Sequence, residues 1–190
     1  MTNLIVLAII VAVIGYGIFL YNDLVSKRQL TQEGWSGIDV QLKRRTDLIP
    51  NLLETVKGYM GHERQTLEAV VEARAAATAG ANATPEERAK LEGVLSGALG
   101  RLLAVAEAYP DLKANTNFQQ LQTELSDIEN KLAAARRFFN NAVSEFNAVR
   151  RQFPTVLFAG LVGFGSDKPF FDVGAADRAT MTAAPPQVKF

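Results

Sequence analysis

Phe118, Leu121, Leu125, Ile128, Leu132, Ala135, Phe139, Ala142, Phe146, Val149 and Phe153 follow one another at steps that alternate three and four. That repeat is the signature of one continuous helix burying a single stripe. It predicts a helix over 115–153 of about five heptads and roughly 55 Å. Pro154 stops it, because its ring and missing N–H cannot continue the hydrogen-bond ladder. Large Phe and small Ala residues alternate along the stripe, which suits bundle packing better than a uniform two-stranded zipper. A helix this long and one-sided needs partners, so the chain is expected to be all-α.

Two further helical patterns supply the partners. Thr84-Pro85-Glu86-Glu87 places an N-cap threonine before a first-turn proline, with the capping-box glutamate three residues on. The helix it opens runs over 85–108, with Leu91, Val94, Leu95, Ala98, Leu102 and Val105 facing inward; Pro110 disfavours helix at Tyr109. Gly93 and Gly97, one turn apart, read as a close helix–helix approach. Upstream, Trp35, Ile38, Leu42, Ile49, Leu52, Val56, Leu67 and Val70 give a broken version of the same period over 22–79, fading in the alanine-rich stretch 73–83. Short connections between the three helices predict an antiparallel bundle occupying 22–153. Pro50 has two readings: a bend in a continuous helix that leaves the Thr46 carbonyl without its donor, or a restart with Asp47 as N-cap.

From Leu4 to Leu20 the chain is uncharged and almost wholly apolar. With Asn3 and Tyr21 this is roughly 19 residues, or about 28 Å of helix, close to the hydrocarbon thickness of a bilayer. No basic residue precedes the run and no small-x-small cleavage site follows it, so 1–21 is expected to be an uncleaved transmembrane anchor in contact with lipid. Tyr16 and Tyr21 suit the interface. Lys27 and Arg28 just beyond favour a cytoplasmic body by the positive-inside rule. After Pro154, residues 154–190 form an apolar, glycine-rich segment followed by a tail rich in small residues and proline. Phe158, Leu161, Phe164, Phe170 and Phe171 need cover there from the bundle, a neighbouring copy or lipid.

The chemistry is narrowed by what the chain lacks. Cysteine is absent and His62 is the single histidine, which excludes disulfides, thiolate chemistry and histidine-rich metal sites. His62-Glu63 begins like a zincin motif, but no second histidine follows. Lys+Arg and Asp+Glu balance at 20 each, which argues against nucleic acid as a partner. Lys43-Arg44-Arg45 turns about 100° per residue on a helix and so wraps it without forming a patch. Arg45 falls near the apolar stripe, between Leu42 and Ile49, where a charge needs a partner or a path to water; an interhelical ion pair is expected in preference to ligand binding. Glu124, Asp127, Glu129 and Lys131 read as a solvated face. No catalytic, cofactor-binding or metal residue is assigned.

These stretches together resemble the LemA family of bacterial membrane proteins. The likeness is carried by "YNDLV" after the span, "WSGIDVQLKRRTDLIPNLLETVKGYMGHE", "AVVEAR", "AYPDLKANTNFQQLQTELSDIENKLAAARRFFNNAVSEFN" and "FPTVLFAGLVGF". It implies one membrane segment, a helical body and no agreed catalytic residues. Family genes often lie near membrane zinc proteases, and a relative is associated with magnetosome membranes. Some relatives carry a lipoprotein cysteine near the end of the apolar segment, which would expose their bodies outside the cytoplasm. This chain has "VIGYGIFLYN" there, so sidedness stays open. The expected function is that of a self-associating structural or scaffold protein at the bacterial inner membrane, a homo-oligomer without enzymatic activity. The alternative is an accessory or regulatory subunit of a membrane protease or other membrane complex.

Overall fold

The computed structural model describes residues 1–172, and the tail rich in small residues and proline lies outside them. The described residues are helical, without a strand. Helix α1 runs Thr2–Lys57, α2 Arg64–Ala79, α3 Pro85–Ala106, the short α4 Pro110–Ala114, and α5 Thr116–Arg151. The chain divides into two compact units, each assembled from separated segments. The division falls within α1 and α5.

The first unit comprises residues 1–39 and 132–170. Its part of α1 begins with the apolar run, whose large side chains from Leu4 to Phe19 are exposed. This is the one helix among the described residues long and apolar enough to cross a membrane. Beyond Tyr21 the same helix acquires a buried face at Leu24, Thr31, Gly34 and Ile38. It packs antiparallel to α5: Trp35 stacks at a tilt on Phe139 with ring centroids 5.5 Å apart, and Lys27 pairs with Glu145 at 2.7 Å. Gly34 makes the approach close. A Cβ there would lie 2.9 Å from the Phe139 Cα. Leu24, Phe146, Ala159 and Phe164 form the core next to the apolar run.

The second unit contains residues 40–131. Leu48, Ile49, Leu52 and Val56 of α1 share a core with Val70 of α2, Leu95, Leu99 and Leu102 of α3, and Phe118, Leu125 and Ile128 of α5. Each such side chain contributes about 1.5–3 kcal/mol of transfer free energy. Helix α1 continues through Pro50, so Asp47 is not the cap of a new helix. The expected helix over 22–79 is interrupted instead at 58–63. Gly58 and Gly61 flank a turn in which the Tyr59 and Met60 amides both donate to the Val56 carbonyl, and Met60 is 1% exposed. Glycine's low helix propensity and the burial of Met60 together reverse the chain there.

Helix α3 opens with the expected capping box between Thr84 and Glu87. Its buried face is rotated from the expected one: Val94 is 63% exposed, while Ala89, Glu92 and Leu99 are buried. Gly97 faces open space, so the close approach expected at Gly93 and Gly97 is not found at Gly97. The α5 stripe is buried or half-buried from Phe118 to Val149, but the helix ends at Arg151 and Phe153 lies beyond it, 79% exposed.

Candidate functional site

The side chains of Leu42 and Ile49 turn inward, and helical periodicity carries Arg45 with them. Its guanidinium is 1% exposed in the second unit. A charge so placed loses its hydration and persists only against counter-charges with good geometry. Glu92 on α3 and Glu129 on α5 supply them. Arg45 Nη2 donates to the Glu92 carboxylate and, at 3.3 Å, to the Glu92 carbonyl. Arg45 Nη1 donates to Glu129 Oε1 at 2.7 Å and to Ser96 Oγ at 2.8 Å. Arg45 Nε is buried without a hydrogen-bond partner among the described residues.

Burial opposes the charge on Arg45, but the fields of Glu129 and Glu92 outweigh it and hold its pKa above the ordinary arginine value. The guanidinium is therefore permanently charged. The two carboxylates differ in solvation: Glu92 is 3% exposed at its side chain and Glu129 38%. Glu92 is the sealed member and Glu129 the one that still meets water. An arginine held by carboxylates from two other helices fixes α1, α3 and α5 against one another within this unit.

Beside the cluster lies a groove of ≈ 390 Å³ between α3 and α5, lined by Ser96, Leu99, Gly100, Leu103, Gln122, Leu125, Ser126 and Glu129. A second, of ≈ 590 Å³, sits at the α1–α2 turn between Lys57, Met60, Arg64 and Leu67. Among the described residues no group of three or more His, Asp or Glu side chains could hold a metal ion.

The expected interhelical pairing of Arg45 is present. The rest of the basic triplet points elsewhere: Lys43 lies 3.8 Å from Asp47 and Arg44 3.9 Å from Glu124, all four largely solvated. His62 is exposed in the α1–α2 turn. The expectation that Glu129 belongs to a wholly solvated face is corrected by its bond to Arg45. Glu92 escaped the sequence reading, although a signal was there. Arg88, Glu92, Leu95, Leu99, Leu102 and Ala106 alternate steps of four and three, and all are buried. The true stripe carries charges among its first members, which hid it behind the more apolar Leu91–Val94 register.

The magnetosome protein MamQ 2 of Paramagnetospirillum magneticum is 25% identical over 91% of this chain and 72% of its own length. The magnetosome protein MamQ of Magnetospirillum gryphiswaldense is 24% identical over 85% of this chain and 68% of its own. Protein LemA of Metamycoplasma hominis is 27% identical over 71% of this chain and 63% of its own. The LemA family profile matches residues 34–190, which takes in the Arg45 cluster, the α1–α2 turn and all of α5. With four-fifths or more of the sequence inside that match, the chain belongs to the LemA family.

Proposed function

We propose that this protein is a single-pass helical scaffold of the bacterial inner membrane that associates with copies of itself and catalyses no reaction. The observation that carries the reading is an exposed seam on α3. Val94, Gly97, Arg101 and Ala104 alternate steps of three and four, and every one is exposed. A Cβ added at Gly97 or Gly100 would meet nothing within 4 Å. Small residues in such a row let a second helix backbone approach closely. The exposed apolar run of α1 provides the anchor, and Lys27 and Arg28 favour a cytoplasmic body.

The chain has no cysteine, so Ala104→Cys introduces a single thiol for crosslinking in native membranes. A self-crosslinked dimer, lost on Gly97→Leu, is expected. A strict monomer at micromolar concentration after extraction in detergent would sink the scaffold reading. Capture of a membrane protease instead of a second copy would support the accessory role. Labelling of His62→Cys by an impermeant thiol reagent in intact cells reads sidedness; a cytoplasmic body leaves it unlabelled until the cells are opened.

A further inference from the structure

Between Arg151 and Asp167 the chain carries no charged residue. Much of the segment is also uncovered: Leu157 is 68% exposed and Leu161 87%, with Val156 and Val162 exposed beside them. Water is a poor environment for so much apolar surface on one short turn. The first unit shows what lies next to it. Phe164, within the segment, packs on Tyr21, the residue that ends the apolar run of α1, with ring centroids 6.0 Å apart. Leu24, the first buried residue past the span, joins the core with Phe164, Ala159 and Phe146.

The helix register gives the same level. Lys27 and Glu145 are paired across two antiparallel helices. Six residues back from Lys27 is Tyr21, and six residues on from Glu145 is Arg151. Each step covers about 9 Å, so the end of α5 stands level with the end of the span. The turn that follows begins where the bilayer interface must lie if residues 4–21 cross a membrane.

Its backbone is suited to that setting. The amides of Val156, Leu157, Phe158, Ala159, Leu161, Val162 and Phe164 all donate to carbonyls within 152–159. Polar backbone groups satisfied internally remove most of the cost of leaving water. Arg28, Arg150, Arg151 and Lys168 stand at its margin. Lys168 amine donors are pushed toward the neutral form by burial and by Arg28 nearby, while Arg150 and Arg151 bind Asp167 and so brace the return of the chain.

We infer that the turn over 153–164 is a second membrane contact, a monotopic wedge that inserts Leu157, Leu161 and Val162 into the lipid interface beside the transmembrane helix. The inference rests on the reading of 4–21 as a membrane span. Together the two contacts fix the first unit's tilt against the bilayer, which a single helix leaves free.

The cysteine-free chain allows a direct test. Leu161→Cys, Ile10→Cys and His62→Cys are spin-labelled singly in full-length protein in nanodiscs of phosphatidylcholine and phosphatidylglycerol. Collision with dissolved oxygen is compared with collision with a water-soluble nickel chelate. The inference expects the Leu161 label to favour oxygen over nickel several-fold relative to His62, approaching the Ile10 value. A Leu161 label that matches His62 while Ile10 reads as lipid overturns the wedge and leaves the span intact. A Leu161 label shielded from both probes means that protein covers it, and overturns the wedge as well. If Ile10 itself reads as aqueous, the span and the wedge fall together. Leu161→Asp, read by the same labels at Leu157→Cys, is expected to move that site from oxygen-favouring to nickel-favouring.

Discussion

The Nε of Arg74 on α2 donates a 2.9 Å hydrogen bond to the carbonyl of Thr46 on α1. Thr46 is four residues before Pro50, so its carbonyl is the acceptor that proline deprives of an α-helical donor. A side chain from the antiparallel neighbour takes the place of the missing N–H. Arg74→Leu should therefore cost about 1–2 kcal/mol, less than a fully buried charged bond because Arg74 is half-exposed. In a Pro50→Ala background the helical donor returns, and the same change should be close to neutral. A double-mutant cycle by chemical unfolding measures the coupling; additive effects would show that the two features are unrelated.

Arg45 and Glu92 should behave as a buried pair. Arg45→Met leaves Glu92 charged and sealed from water, and should cost about 3–5 kcal/mol. Arg45→Met combined with Glu92→Met removes both charges at similar volume and should recover much of that loss. Thermal unfolding of the full chain in nanodiscs reads the difference. A double variant less stable than either single one would overturn the account.

Two glycines of α1 should respond in opposite directions. At Gly34 a Cβ would stand 2.9 Å from the Phe139 Cα and 3.0 Å from Phe138 Cδ1. Backbone cannot yield as a side-chain tip can, so Gly34→Ala should cost about 1–3 kcal/mol. At Gly37 the nearest atom is the Ala135 Cβ, at 3.8 Å. Gly37→Ala should then stabilise by up to about 1 kcal/mol through helix propensity. Hydrogen exchange of the α1 amides around each site distinguishes local loosening from tightening.

Thr84 accepts from the Glu87 amide at 3.3 Å, and the Glu87 carboxylate returns to the Thr84 amide at 3.2 Å. Thr84→Ala should fray the start of α3 and cost about 1 kcal/mol. Fraying confined to the first turn, seen as faster amide exchange at 86–88, is the expected pattern.

Much of this architecture is legible in the sequence. The α5 stripe, the Thr84 cap and the long apolar start of α1 rest on patterns that local physics nearly determines: heptad spacing, reciprocal capping and an unbroken run of apolar residues. Arg45 was legible for a similar reason, since a charge inside an apolar stripe demands a partner. What the sequence hid was set by tertiary competition. The break at 58–63 depends on Met60 finding a core that lies beyond any local window. Glu92 sat on a buried face whose first members are charged, so hydrophobicity pointed one register away. Arg74 was invisible because nothing local announces a donor for a carbonyl on another helix.

The discontinuous first unit has a consequence for the order of synthesis. Leu24 and Ile38 are buried in the finished protein, yet the α5 residues of that unit begin only at Leu132. At about 5–20 residues per second, the ribosome takes roughly 5–20 s to reach the missing half. During that interval the apolar run can enter the membrane while the adjoining face of α1 waits uncovered. Folding of the intervening residues 40–131 in the meantime would draw Asp39 and Leu132 toward each other and shorten the loop that α5 must close.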